Sequence, residues 1–176
     1  MFINANFTGL WHREHSSLRD NILSRTGYVI TFCGCPNHWA SKLQSLIALR
    51  TTESEYIALS MATRELLPLQ HLLEEISETG PIKIPMPETF FTTHTPHFTL
   101  SKIYEDNAAC IILAYSDASK PCTKHIAIKW HHFKDQLKAG HITLIKIPSD
   151  FNWVDIFTKP LTQHKFEFLH RLMMGW

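Results

Sequence analysis

Hydrophobic and polar residues change rhythm several times along the chain, and each change predicts an element. Phe2, Ala5 and Phe7 are set among Ile3, Asn4 and Asn6 before Gly9, a pattern that reads as a short strand beginning almost at Met1. Residues 10–25 are polar and mixed and predict a surface loop. Gly27 to Cys33 is rich in β-branched and aromatic residues and predicts a second strand. Gly34 and Pro36 mark a turn, after which Asn37 to Lys42 returns as a third strand of an antiparallel meander. From near Thr52 the spacing becomes helical, with Tyr56, Leu59, Leu66, Leu69, Leu72, Leu73 and Ile76 on one stripe. Thr52-Glu53-Ser54-Glu55 supplies a capping box and Gly80 a stop. Pro68 lies inside this stripe and predicts a kink or a division into two helices.

Residues 81–97 hold Pro81, Pro85, Pro87 and Pro96 among Thr and His, a composition that predicts an exposed connection. Phe98 to Tyr104 alternates as a fourth strand, and Asp106-Asn107 leads into a helical run over 108–113. After a loop with Pro121, a helix is expected over 124–138, ended by Gly140, then a strand over 142–147 that Pro148 stops. Short helices around 152–158 and 162–174 follow, the latter the C-terminal helix of the closing segment 162–176. Three antiparallel strands followed by strand–helix–strand crossovers predict an α/β fold. Its mixed five-stranded sheet, three antiparallel strands and then two parallel, is flanked by helices in a single domain over 1–176.

Composition adds exclusions. The 176 residues carry 17 Lys plus Arg against 16 Asp plus Glu, a formal net charge of +1, so any nucleic-acid binding has to come from a local patch. No stretch is long and apolar enough for a membrane span, and MFINANFTG has no signal-peptide character. The expected setting is therefore intracellular, cytoplasmic or nuclear. Cys33, Cys35, Cys110 and Cys122 are too sparse for a disulfide framework. Cys33 and Cys35 beside His38 suggest zinc only weakly, because no second Cys pair is within reach in sequence; buried or partly buried thiols are expected.

Three acidic residues fall where this topology gathers them: Asp106 at the end of the fourth strand, Glu55 in the first turn of the long helix, and Asp155 at the start of a late helix. Carboxylates without Cys or His partners suit hard ions such as Mg²⁺ or Mn²⁺, and two such ions are a general solution for phosphodiester cleavage. Each residue also has a plain structural reading. Glu55 fits the capping box, Asp155 the helix dipole, and Asp106-Asn107 a helix cap.

The runs SRTGYVITFCG (24–34), HWASKLQ (38–44), ALRTTESEYIALS (48–60), YEDNAAC (104–110), TKHIAIKWHHF (123–133) and VDIFTKPL (154–161) occur in the order found in one family. The chain resembles the ribonuclease H domain that closes copia-type retrotransposon Pol polyproteins. The resemblance implies the ribonuclease H-like fold and hydrolysis of the RNA strand of an RNA–DNA hybrid with two Mg²⁺ or Mn²⁺ ions. It places the family's helix Glu on Glu55, its fourth-strand Asp on Asp106 and its C-terminal Asp on Asp155. The family's first strand reads Asp-Ala-Asp, whereas this chain reads Asn4-Ala5-Asn6, so Asn4 stands where a catalytic, metal-bridging Asp is expected. An amide brings no negative charge and cannot bridge two cations as a carboxylate does, which implies weakened or absent catalysis. The strand at the very start and the missing polymerase region read as a truncated remnant.

Lys120, Lys124, Lys129, Lys134 and Lys138 face only Asp135 among acids, with Trp130 and His residues interleaved. This basic stripe fits either the phosphates of a hybrid or a solvated helix face. The partners implied are an RNA–DNA hybrid and a reverse transcriptase polymerase domain. The alternative function is a non-catalytic, nucleic-acid-binding or structural remnant of the polyprotein.

Overall fold

The alternating residues at the start of the chain become the middle strand of a sheet. A computed structural model describes residues 1–9, 22–80, 101–116 and 133–176. The expected connection over 81–97, most of the loop over 10–25 and the first part of the helix over 124–138 lie outside the described residues. The strands are β1 (Phe2–Asn6), β2 (Arg25–Phe32), β3 (Cys35–Leu43), β4 (Ser101–Glu105) and β5 (Ile142–Lys146). They form one five-stranded sheet in the order β3-β2-β1-β4-β5. β1 runs antiparallel to β2 with Asn4 opposite Gly27, and parallel to β4 with Phe2 opposite Tyr104. β2 and β3 are antiparallel, β4 and β5 parallel, as the pattern predicted.

Helix α1 (Thr51–Thr79) packs on β1 and β2. Its Tyr56, Leu59, Ala62 and Leu66 meet Ile3, Tyr28, Ile30, Ile103, Phe133, Ile142 and Leu144 in the main core. Fully buried side chains such as Ile3, Leu59 and Ile103 each stabilise the fold by about 1.5–3 kcal/mol. Of the two outcomes expected at Pro68, the division into two helices is not found: α1 runs unbroken from Thr51 to Thr79. Pro68 sits on the exposed side, where water satisfies the carbonyl that loses its amide partner. The capping expectation also changes. Arg50 stands at the N-cap with no side-chain bond, and Glu53 Oε2 accepts from the Leu49 amide at 2.7 Å. Glu53 thus caps the start of the helix and Glu55 is free for another contact. Gly80 closes α1, as expected, donating its N–H to the Ile76 carbonyl.

Helix α2 (Ala108–Tyr115) is capped by Asn107, whose side chain accepts from the Cys110 amide. The described part of the next helix, α3, covers 133–138. A 3₁₀ turn (Ser149–Phe151), α4 (Asp155–Thr158) and α5 (Gln163–Met174) end the fold. α4 packs on β1 and β2, and α5 on β3. The approach of α4 requires Gly27, because a Cβ there would lie 2.6 Å from both Val154 Cγ1 and Thr158 Cγ2. Cys33, in the β2–β3 turn at φ 52°, and Cys35 are exposed, not buried as expected, because the turn carries them past the strands that cover the core.

Candidate metal centre

Two small clusters meet at the C-terminal end of β1. Asn4 and Asn6 share one face of that strand, as the period of two dictates. Asn4 Nδ2 donates to Asp155 Oδ1 at 2.5 Å and to Thr158 Oγ1 at 3.2 Å, while Asn6 Nδ2 donates to the Thr158 carbonyl at 3.0 Å. Asp155 is fully buried, and its charge is met by Lys159 at 2.9 Å and Lys165 at 3.2 Å. Burial works against the charge of Lys165. Its bonds to Asp155 and Asp150 more than offset this and hold its pKa above the ordinary value.

The second cluster occupies the gap between β1 and β4. Their parallel pairing is Phe2 with Tyr104. Beyond it the Ala5 N–H turns to Glu55 Oε2, at 2.6 Å, instead of to β4. Glu55, Glu105 and Asp106 each place a carboxylate oxygen within 4.8 Å of the other two. Burial raises the Glu55 pKa well above its usual range, helped by Glu105 and Asp106 and opposed by the Ala5 N–H and Lys159. Burial likewise pushes Glu105 up to about 8, against the pull of the Asn107 N–H. Crowded carboxyls of this kind retain a proton near neutral pH or take up a cation, and oxygen-only donors select a hard one.

The structure thus brings Glu55 and Asp106 together and sets Asp155 beside Asn4 in a separate, lysine-neutralised group. Glu105 was missed by the sequence reading. Neighbouring strand residues face opposite ways, but β4 ends at Glu105 and Asp106 already lies beyond the strand, so both can reach one site. A groove of about 650 Å³ lies over the clusters, lined by Asn4, Glu55, Asp106, Asn107, Ser149 and Lys159 among others. Lys134 is buried, and its ammonium donates to the Ser116 carbonyl. Lys120, Lys124 and Lys129 lie outside the described residues. Among the described residues, no helix is long and apolar enough to cross a membrane.

Strand order, helix placement and carboxylates at the strand ends define a ribonuclease H-like fold. A solved ribonuclease H1, LC11, isolated from compost by a metagenomic approach, superposes with a TM-score of 0.55 at 15% identity, covering 89% of each chain. The structure of LC11 in complex with an RNA/DNA hybrid gives 0.52 at 15% identity, covering 89% of this chain and 91% of that one. No protein-family model matches the chain. The chain is 30% identical over 154 residues to the retrovirus-related Pol polyprotein from transposon TNT 1-94 of Nicotiana tabacum, which covers 88% of this chain and 10% of the relative. It is 26% identical over 149 residues to that from transposon RE1 of Arabidopsis thaliana, covering 85% and 9%. The chain belongs to the retrotransposon Pol family as a ribonuclease H-like domain, and it spans about a tenth of the length of those relatives.

Proposed function

We propose that this domain derives from a copia-type Pol and hydrolyses the RNA strand of RNA–DNA hybrids slowly, its rate limited by Asn4. The observation that carries this reading is the meeting of Glu55 and Asp106 within 4.8 Å at the strand ends of a ribonuclease H-like sheet. The hybrid bound to LC11 supports the choice of substrate. The clustered donors suit Mg²⁺ or Mn²⁺, since they are carboxylate oxygens, and beside them Glu105 Oε2 is buried without a hydrogen-bond partner. Glu55, Asp106 and, in the family pattern, Asp155 would hold the metal. When bound, it supplies charge neutralisation at the scissile phosphate and a more acidic attacking water.

The chain's own residues account for the limited rate. Asn4 offers an N–H to Asp155 where a carboxylate would offer a ligand. Lys159 and Lys165 already neutralise Asp155, which lowers its demand for a cation. Lys159 also lines the groove, where its ammonium meets a phosphate. Lys120, Lys124 and Lys129, a basic stripe in the sequence, are further candidates for phosphate contact, and a polymerase domain of the same polyprotein presents the hybrid.

The test is cleavage of a labelled RNA–DNA hybrid in Mg²⁺ and in Mn²⁺ by the parent, Asn4→Asp, and Asn4→Asp combined with Asp106→Asn. Slow cleavage by the parent, faster cleavage by Asn4→Asp and none by the double variant are expected. Equal rates for parent and Asn4→Asp would overturn the role given to Asn4. Salt-dependent binding with no cleavage by any variant would favour the non-catalytic reading, to which the lysine-neutralised Asp155 lends support.

A further inference from the structure

We propose that Glu105 is a direct ligand of the divalent cation and supplies the negative charge that position 4 lacks, so that the cation sits among Glu55, Glu105 and Asp106. The inference rests on the metal-dependent reading above and assigns its ligands. Glu105 has no exposed surface. Its Oε1 accepts from the Asn107 N–H at 2.8 Å, and its Oε2 has no hydrogen-bond partner although it is buried. Leaving such an oxygen unpaired costs more than an ordinary hydrogen bond returns, so a buried carboxylate of this kind calls for a partner.

Glu55 is held in the same manner. The Ala5 N–H takes its Oε2, leaving Oε1 for another contact. Backbone N–H groups thus hold each glutamate, that of Ala5 for Glu55 and that of Asn107, aided by Asp106, for Glu105, and Glu105 Oε2 is left without a hydrogen-bond partner, an arrangement that orients carboxylates around a metal. Asp106, which lines the groove, completes a three-oxygen set within 4.8 Å, a spacing that a hard cation and its waters can bridge. Asp155 is outside this set and has its own cations. The arrangement also restores a charge count. Asn4 removes one carboxylate from the strand end and Glu105 returns one on the adjacent strand.

Mn²⁺ binding by the whole chain, followed by isothermal titration and by the electron paramagnetic resonance signal of free Mn²⁺, tests the assignment. The parent is expected to bind Mn²⁺, Glu105→Gln to bind at least tenfold more weakly, and Glu105→Asp to fall between them. Far-UV circular dichroism in EDTA checks that each variant is folded; should Glu105→Gln fail to fold, Glu105→Asp decides. Affinity in the folded glutamine or aspartate variant equal to the parent's would overturn the role of Glu105. Loss of binding in Glu55→Gln alongside that result would leave the metal-dependent reading intact. A parent that binds no Mn²⁺ would overturn both.

Discussion

Replacing Asn4 with Asp should destabilise the metal-free protein and make it dependent on a divalent cation. The 2.5 Å bond from Asn4 Nδ2 to Asp155 Oδ1 joins a buried donor to a carboxylate, and its loss costs about 1.5–3 kcal/mol. The new carboxylate also faces that of Asp155. Two unit charges about 4 Å apart repel by about 4 kcal/mol at an effective dielectric constant near 20. Lys159 and Lys165, at 2.9 and 3.2 Å from Asp155, offset a large part of this. A net loss of about 3–5 kcal/mol at pH 7 follows, or roughly 6–20 °C in Tm for a chain of this size. The two carboxyls can share a proton, so the folded-state pKa of the pair is raised. The deficit therefore shrinks as pH falls toward 5 and grows as pH rises through that raised pKa. Differential scanning calorimetry in EDTA at pH 5 and 7, repeated with millimolar Mn²⁺, measures all three effects. A variant as stable as the parent in EDTA would refute the Asn4–Asp155 contact. A deficit indifferent to both pH and Mn²⁺ would refute the electrostatic account of it.

Other perturbations follow from the same geometry. In EDTA, the Glu105 carboxyl, held at about 8 when folded, keeps a proton that the unfolded chain loses above about 4.5, so its contribution to stability is lost as pH rises across that window. Chemical denaturation from pH 5 to 9 should show a shallower decline for Glu105→Gln; an unchanged slope would count against the raised pKa. Gly27→Ala places a Cβ 2.6 Å from Val154 and Thr158 and should cost about 1–3 kcal/mol in urea denaturation, because α4 has to move off the sheet. Pro68→Ala restores an amide inside an unbroken exposed turn of α1 and should stabilise by up to about 3 kcal/mol; a lower Tm would mean that the ring makes a needed contact.

The sheet was legible because the strands show alternation or β-branched and aromatic content, and several breaks carry Gly or Pro. The sheet order followed from the meander and the crossovers, and Glu55 and Asp106 were singled out by their places at a helix start and a strand end before the resemblance gave them roles. Other features depend on distances that no local pattern encodes. Division of the helix was one of the two outcomes read at Pro68 because the sequence does not say that its side of α1 faces water. Glu55 looked like a cap until Glu53 took that place, four residues from Leu49. Glu105 was not singled out, since its access to the metal centre depends on β4 ending at that point. The pairing of Asn4 with Asp155 depends on how closely α4 approaches Gly27, and on the absent side chain there.

The contact between β1 and α4 also sets the order in which the molecule can become competent. Asn4 and Asp155 are 151 residues apart in the chain, and Ala5 and Glu55 are 50 apart. During synthesis, β1 can pair with β2 and dock against α1 long before its other neighbours emerge. The middle strand then waits, with one edge open, until β4 and the last helices have left the ribosome. Contacts of such long range make folding slow, and an open strand edge in the interval is a surface for mispairing. Shortening the chain at its end would thus remove more than α4 and α5: it would leave Asn4 and Asn6 unpartnered in the centre of the sheet.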